Sequence, residues 1–141
     1  MNVTMLLADS AQVADGKLYI LGGGWSVTGP QPAPMAVAMK LEVSGTDLGR
    51  EHHWALWLED ADGHPVMFET SQGILPIEIS GDFTVATPEN WPAGIAADLP
   101  LAVNFGHVPL PTGQRFVWRL LIDGETPSGG TVSFATRPAA N

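Results

Sequence analysis

The stretch ADSAQVADGKLYILGGGWSVTGP, residues 8–30, decides the fold. Within it, Asp15 and Gly16 lie between two apolar runs, Val3–Ala8 and Leu18–Leu21. An Asp-Gly pair in this position is typical of a two-residue hairpin turn, because glycine accepts a positive φ at little steric cost. The sequence therefore predicts an N-terminal β-hairpin.

Three consecutive glycines, residues 22–24, follow the predicted hairpin. A phosphate cradle would need a helix after such a run, with a lysine and a serine or threonine near the phosphates. Residues 25–30, WSVTGP, instead predict extended chain. The glycines therefore indicate a bulge, a sharp bend or close approach of another backbone segment.

The composition favours many short strands joined by tight turns. Hydrophobic residues make up 45% of the 141 residues and charged residues only 15%, with 16 Gly and 12 Pro spread along the chain. This length fits one hydrophobic core, and no composition shift marks a boundary. We therefore expect one domain over residues 1–141, with all-β structure.

Three segments show the two-residue alternation of a strand with one buried face. In residues 35–43 the odd positions are apolar, in residues 51–60 Trp54, Leu56 and Leu58 share a face, and residues 115–123 form the strongest pattern. The last segment is predicted to be a central strand. Together with weaker segments, these predict an antiparallel β-sandwich of eight or nine strands with a Greek-key-like arrangement.

The middle of the chain predicts further elements with less regular patterns. Residues 60–63, DADG, predict a hairpin loop, and residues 64–70 are expected to return along the preceding strand. Leu75, Ile77 and Ile79 resume the alternation, and residues 80–82 predict another turn. Residues 88–100 form the longest irregular connection.

The charge pattern argues against several classes of partner. The formal net charge is −9, and the six Lys and Arg residues are scattered. Nucleic acids and anionic membranes require clustered cations, so we expect neither as a partner. Cysteine is absent, which removes thiolate catalysis and thiolate metal sites. No transmembrane or signal segment is recognised, so a cytoplasmic location is expected.

The histidines offer one candidate metal site. Glu51 and His53 lie two apart on one strand face, and His64 is expected near them across the hairpin. With His52, this cluster suggests a metal-dependent enzyme. A solvated strand face carries the same residue types, however, and no third ligand has a fixed spacing.

Acidic residues in the predicted loops offer a candidate calcium site, because calcium takes six to eight oxygen ligands. The residues concerned are Asp60, Asp62, Asp98 and Asp123. Ordinary turn chemistry explains the same residues without a metal. No cofactor is therefore expected.

Two tryptophans and two arginines are the candidate binding residues. Trp57 is expected to face outward on its strand, and Trp91 lies in the long loop. Exposed Trp can stack on sugars or anchor a partner chain. Arg115 and Arg119 are candidates for an acidic ligand, although pairing with Glu51 or Glu59 on a neighbouring strand is the favoured explanation.

The N-terminal stretch, together with the hairpin sequence EDADG at residues 59–63, resembles a family of small uncharacterised bacterial proteins, mainly actinobacterial. The resemblance covers the whole chain. It implies a stand-alone β domain of unknown function and brings no catalytic residues.

These observations favour a non-enzymatic module that binds another protein or a second copy of itself. A low charge fraction and the open edges of a sandwich support self-association into a homo-oligomer. Two alternatives remain open. One is a carbohydrate-binding or small-molecule-binding sandwich that uses the tryptophans, and the other is the metal-dependent enzyme. No catalytic motif indicates an enzyme.

Overall fold

The structure, a computed structural model, describes residues 1–140. Within them it has eleven strands, one 3₁₀ turn and no α-helix. None of its helical segments is long and apolar enough to cross a membrane. The elements are β1 (Asn2–Ala14), β2 (Lys17–Gly23), β3 (Val27–Thr28), β4 (Pro34–Val43), the 3₁₀ turn (Gly45–Asp47), β5 (Glu51–Asp60), β6 (Met67–Thr70), β7 (Gly73–Pro76), β8 (Glu78–Thr84), β9 (Ala97–His107), β10 (Arg115–Ile122) and β11 (Thr131–Thr136).

Two large sheets form a sandwich-like all-β fold, as the sequence predicts. One has the strand order β2-β1-β4-β9 and the other β3-β11-β10-β5-β8, while β6 and β7 form a separate pair. All strand pairs are antiparallel except the short parallel pair of β3 with β11. The strand count exceeds the predicted eight or nine because the chain also forms short strands such as β3 and β6.

The core lies between the two sheets and uses the alternating residues that the sequence indicates. The odd positions of β4 from Met35 to Val43 are at most 2% exposed, and Leu56, Leu58 and Leu120 are fully buried. Trp118 stacks on Phe105 with ring centroids 4.3 Å apart. Strand β10 pairs with β5 and β11, so its predicted central position is confirmed.

The first half of the second face of β4 is also buried, against expectation, whereas Lys40 and Glu42 on the same face are partly exposed. Ala36 and Ala38 are at most 2% exposed and form a separate apolar cluster with Ala8 and Ala11. Leu18 of β2 and Ala102 of β9 pack against this cluster. The alternation predicted only one buried face because a sequence period does not show that β1 and β2 cover the second face of β4 at Ala36 and Ala38.

Residues 64–84 differ from the prediction in their pairing. The segment after the DADG loop makes one bridge to β5, between Glu59 and Pro65, and then continues into β6, which pairs with β7. Proline has no amide hydrogen to extend the ladder. On the side of β5 away from β10, the antiparallel neighbour is β8, which runs through residues 80–82 where a turn was predicted.

The predicted N-terminal hairpin is confirmed. Asp15 and Gly16 have φ angles of 50° and 70°, as a type I′ turn requires, and Ala14 lies opposite Lys17. The glycine run at residues 22–24 lets the end of β2 lie close to the backbone of β1. The Gly24 amide donates to the Leu7 carbonyl at 2.7 Å.

Candidate functional site

The outer half of the N-terminal hairpin extends past its neighbouring strand. Strand β1 pairs with β4 only over residues 2–8, whereas it pairs with β2 as far as Ala14. Residues 9–23 therefore form a two-stranded extension, called the arm below. The arm begins where the pairing of β1 with β4 ends, because β1 continues past that point.

A side chain from β9 holds the arm against the sheet. Asn104 Oδ1 accepts a hydrogen bond from the Ala11 amide at 3.1 Å, and Asn104 Nδ2 donates to the Ala11 carbonyl at 2.7 Å. The buried backbone groups of Ala11 lack a neighbouring strand here, and an unpaired buried backbone group is costly. Asn104 thus replaces the strand that β4 does not provide.

The arm carries a concentration of exposed apolar side chains. The exposed fractions are 44% for Val13, 50% for Tyr19, 37% for Ile20 and 71% for Leu21. Residues 10–12, residues 19–21 and Asn104 line an open cleft. The register of β1 with β2 places Tyr19 and Leu21 on one face of the arm and Val13 and Ile20 on the other. Exposed apolar side chains on both faces of a two-stranded arm are typical of an interaction surface.

Strand β2 also has an unpaired edge, since β1 is its only neighbour in the described part of the chain. After Lys17, the strand has no charged residue and no proline. The other three edges of the two large sheets carry features that discourage pairing: β8 has Glu78 and Asp82, β9 has Asp98 and Pro100, and β3 has only two residues. Of these four edges, the edge of β2 is therefore the one open to a further strand.

The sequence did not single out the arm as a site. It identified the turn and the apolar run, but an apolar run on a strand is ordinarily core. The signal that could have found the site is the local shortage of charge, because residues 10–24 contain only Asp15 and Lys17 as charged residues.

Trp57, which the sequence predicted to face outward, is half-buried on the outer side of the five-stranded sheet. Its Nε1 donates to Glu59 at 2.9 Å, and Glu59 also accepts from Arg119 Nε at 2.9 Å. The predicted cross-strand pairing of Arg119 with Glu59 is thus present. Trp57 and Arg119 are linked through one carboxylate.

The other two candidate binding residues, Trp91 and Arg115, are not joined by a shared carboxylate. Trp91 is 38% exposed, and its Nε1 donates to the Ile95 carbonyl at 2.8 Å within its own loop. Arg115 is exposed at the start of β10 and forms no ion pair within residues 1–140. Trp91 therefore stabilises the conformation of the long loop.

The structure does not bring Glu51, His53 and His64 together as a metal site. Glu51 and His53 lie at the beginning of β5, where His53 Nδ1 is 2.8 Å from Asp82. His64 follows the opposite end of β5 and lies 3.9 Å from Asp60. The Asp60 amide donates to the His64 carbonyl at 2.9 Å, so the turn itself keeps His64 beside Asp60, seven residues along β5 from His53.

The acidic residues considered for calcium are likewise apart. Asp60 and Asp62 lie in one loop, close to His64, with ligand atoms within 4.8 Å of one another. The Asp60 carboxylate accepts hydrogen bonds from the amides of Asp62 and His64, as loop residues commonly do. Asp98 pairs instead with Lys40 at 3.4 Å.

Asp123, the fourth of these residues, binds His52, the buried histidine that the sequence analysis placed in the candidate metal cluster. His52 is 3% exposed and stacks on Phe83. The hydrogen bond to Asp123 raises the pKa of His52, and the same bond lowers the pKa of Asp123. The pair closes the end of the sandwich, and the side chain of His52 offers no access to a ligand.

Comparison with known proteins gives a family without an activity. A family model described as a family of unknown function, DUF6941, matches residues 3–131. No curated protein and no solved structure matches the chain.

Proposed function

Since the chain belongs to DUF6941, a family of unknown function, we propose from its own surface that it is a non-enzymatic protein-binding module. The arm is the binding surface. The observation that supports this proposal is the exposure of Tyr19 and Leu21 on one face of the arm, beside a strand edge that has no charged residue after Lys17.

The physical argument rests on burial. Leu21 and Tyr19 are 71% and 50% exposed, and covering a large apolar side chain contributes about 1.5 kcal/mol or more to association. The arm adds backbone donors and acceptors along β2 that an added strand can satisfy. Both contributions come from the same short segment.

The alternatives have less support. A stacking platform for sugars needs a widely exposed indole face, but Trp57 is half-buried and Trp91 is 38% exposed. The metal-dependent enzyme would require Glu51, His53 and His64 to bind one metal ion. His64 instead follows the opposite end of β5, and His53 contacts Asp82.

Hydroxyl-radical footprinting tests this function. Oxidation of Tyr19 and Leu21 is measured in dilute pure protein, in concentrated pure protein and in a native extract. We expect protection of both side chains in at least one of the last two samples, because a partner covers the arm.

Met67 on β6 is the matched control, since it is 50% exposed, as Tyr19 is. Its oxidation should not change between samples. Equal oxidation of Tyr19 and Leu21 in all three samples would contradict the proposal, and protection confined to Met67 would move the binding surface to β6 and β7.

A further inference from the structure

We propose that the partner of the arm is a second copy of this chain, and that two β2 edges pair antiparallel across a twofold axis. This inference rests on the proposed function of the arm. The result is a dimer in which the two four-stranded sheets form one continuous eight-stranded sheet.

The hydrogen-bonding groups of β2 alternate between its neighbour and the open side. Because Ala14 and Lys17 flank a two-residue turn, residues 17, 19 and 21 bond to β1. The amide and carbonyl groups of Leu18 and Ile20 therefore point away from β1. They form the short ladder that a second β2 strand would complete.

Charge complementarity favours a second copy in the antiparallel direction. Lys17 lies at the first position of β2, while the carboxylate of Asp9 lies against the α-carbon of Gly22, near the last position. Neither Asp9 nor Lys17 forms an ion pair within residues 1–140.

Antiparallel pairing brings these opposite charges together. Five residues of strand span about 17 Å, so Lys17 of one protomer reaches the Gly22 end of the other, where Asp9 lies. The twofold axis generates the same contact again. The two strands of one arm, β1 with Asp9 and β2 with Lys17, thus supply both charges that a second copy can match, and this offsets the repulsion expected between two chains of net charge −9.

The geometry also limits the assembly to two copies. A twofold contact uses the same surface on both partners and leaves no second copy of that surface exposed. The remaining sheet edges carry Glu78, Asp82, Asp98 and Pro100, which oppose further pairing. We therefore expect dimers and not fibrils.

Charge-reversal variants test the pairing, with the oligomeric state measured by sedimentation velocity and native mass spectrometry. In the wild type we expect a dimer at micromolar concentration. Asp9→Lys and Lys17→Asp each place like charges together and should weaken dimerisation about tenfold or more. The double variant restores opposite charges and should restore the dimer.

A second pair of variants tests the edge itself. Ile20 on β2 and Ile79 on β8 are both 37% exposed. Ile20→Lys should abolish the dimer, because it introduces a charge at the centre of the paired edges, whereas Ile79→Lys should leave the dimer unchanged. Thermal melting confirms that each variant is folded.

Amide hydrogen exchange of the wild type keeps the test independent of variant folding. The amides of Leu18 and Ile20 should exchange more slowly as the protein concentration rises. The inference is overturned by any of three results. The wild type is still monomeric at about 100 times the micromolar concentration at which we expect the dimer, the single charge variants leave the dimer unaffected, or Ile79→Lys removes the dimer.

The footprint separates this failure from failure of the proposed function. If the pure protein is monomeric but Tyr19 is protected in the extract, the arm binds a different protein and only the dimer is wrong. If Tyr19 remains fully reactive everywhere, the arm is not a binding surface and both proposals fail.

Discussion

The Nδ1 atom of His52 lies 2.7 Å from Oδ2 of Asp123, so the beginning of β5 is joined to the residue that follows β10. The Nε2 atom of His52 lies 2.7 Å from the carbonyl oxygen of Asp47. An imidazolium can donate from both ring nitrogens to these two acceptors, so the geometry favours the protonated form of His52 and, with it, a raised pKa. Asp123 also accepts from the His53 amide at 2.9 Å, which fixes its orientation.

This pair predicts a defined pH dependence of the free energy of unfolding. The bond to Asp123 raises the pKa of His52 above 6.5, so its contribution is complete below pH 6.5 and is lost as the pH rises through the raised pKa. The pKa of Asp123 is lowered below 3.8, so its contribution is lost only as the pH falls through that lower value. The pair therefore contributes fully between pH 3.8 and 6.5, which urea denaturation across pH 3–9 measures.

His52→Gln should remove the decline above pH 6.5 and cost about 2 kcal/mol at pH 6, the value typical of a hydrogen bond to a charged group. His53→Gln is the control, because His53 forms an exposed pair with Asp82. It should cost under about 1 kcal/mol. An unchanged pH profile in His52→Gln would show that His52 is not the group responsible.

Removing the Asn104 side chain should destabilise the arm. Asn104→Ala leaves both the amide and the carbonyl of Ala11 without a partner, with an expected cost of about 1–3 kcal/mol. Asn104→Asp is a second test, because its carboxylate can accept from the Ala11 amide but would face the Ala11 carbonyl oxygen with a charged acceptor, so it should not restore wild-type stability. Faster exchange of the Ala11 amide reports the loss locally, and wild-type protection in Asn104→Ala would contradict the assigned role.

Gly22 should tolerate alanine less well than Gly16. Both have positive φ angles, 60° and 70°, which cost alanine about 1 kcal/mol. A Cβ at Gly16 meets nothing within 4 Å, whereas at Gly22 it would collide with the Asp9 carboxylate. Thermal denaturation should therefore show a lower midpoint for Gly22→Ala, and the additional loss should shrink in the double variant with Asp9→Ala. Equal midpoints for the two single variants would contradict the collision.

The Arg119–Glu59 pair should contribute more stability than the Lys40–Glu42 pair. The Glu59 side chain is 11% exposed and also binds Trp57, whereas both side chains of the Lys40 pair are more than 40% exposed. We expect Arg119→Met to cost about 2 kcal/mol and Lys40→Met under about 1 kcal/mol. Urea denaturation gives both values, and Trp57 fluorescence should change only in Arg119→Met. The reverse order of costs would contradict this interpretation.

Local chemistry explains why much of the fold was predictable. The Asp15-Gly16 turn depends on the backbone freedom of two residues, and the buried face of β4 depends on a two-residue period. Both are properties of neighbouring residues and can be recognised in the sequence. The central position of β10 follows from the same reasoning, because alternating large side chains on Phe116 and Trp118 require a sheet on which to pack.

The candidate site was less predictable because it depends on contacts distant in sequence. Asn104 binds Ala11 across 93 residues, and no spacing rule links an asparagine to a backbone unit so far away. The contact of His52 with Asp123, 71 residues later, likewise follows no local spacing. His53 and His64 lie apart because the turn after β5 places His64 beside Asp60, seven residues along β5 from His53.

The sequence by itself determined the all-β class, the first hairpin and the apolar set of the core, because backbone freedom and hydrophobic period are local properties. Only the tertiary structure decided which strand covers Ala36 and Ala38, which histidine is charged, and which edge stays open. These depend on how far β1 extends past β4 and on which side chains meet across the sandwich. Strand length relative to a neighbour is a property of the assembled sheet, and it is the reason that the arm is exposed.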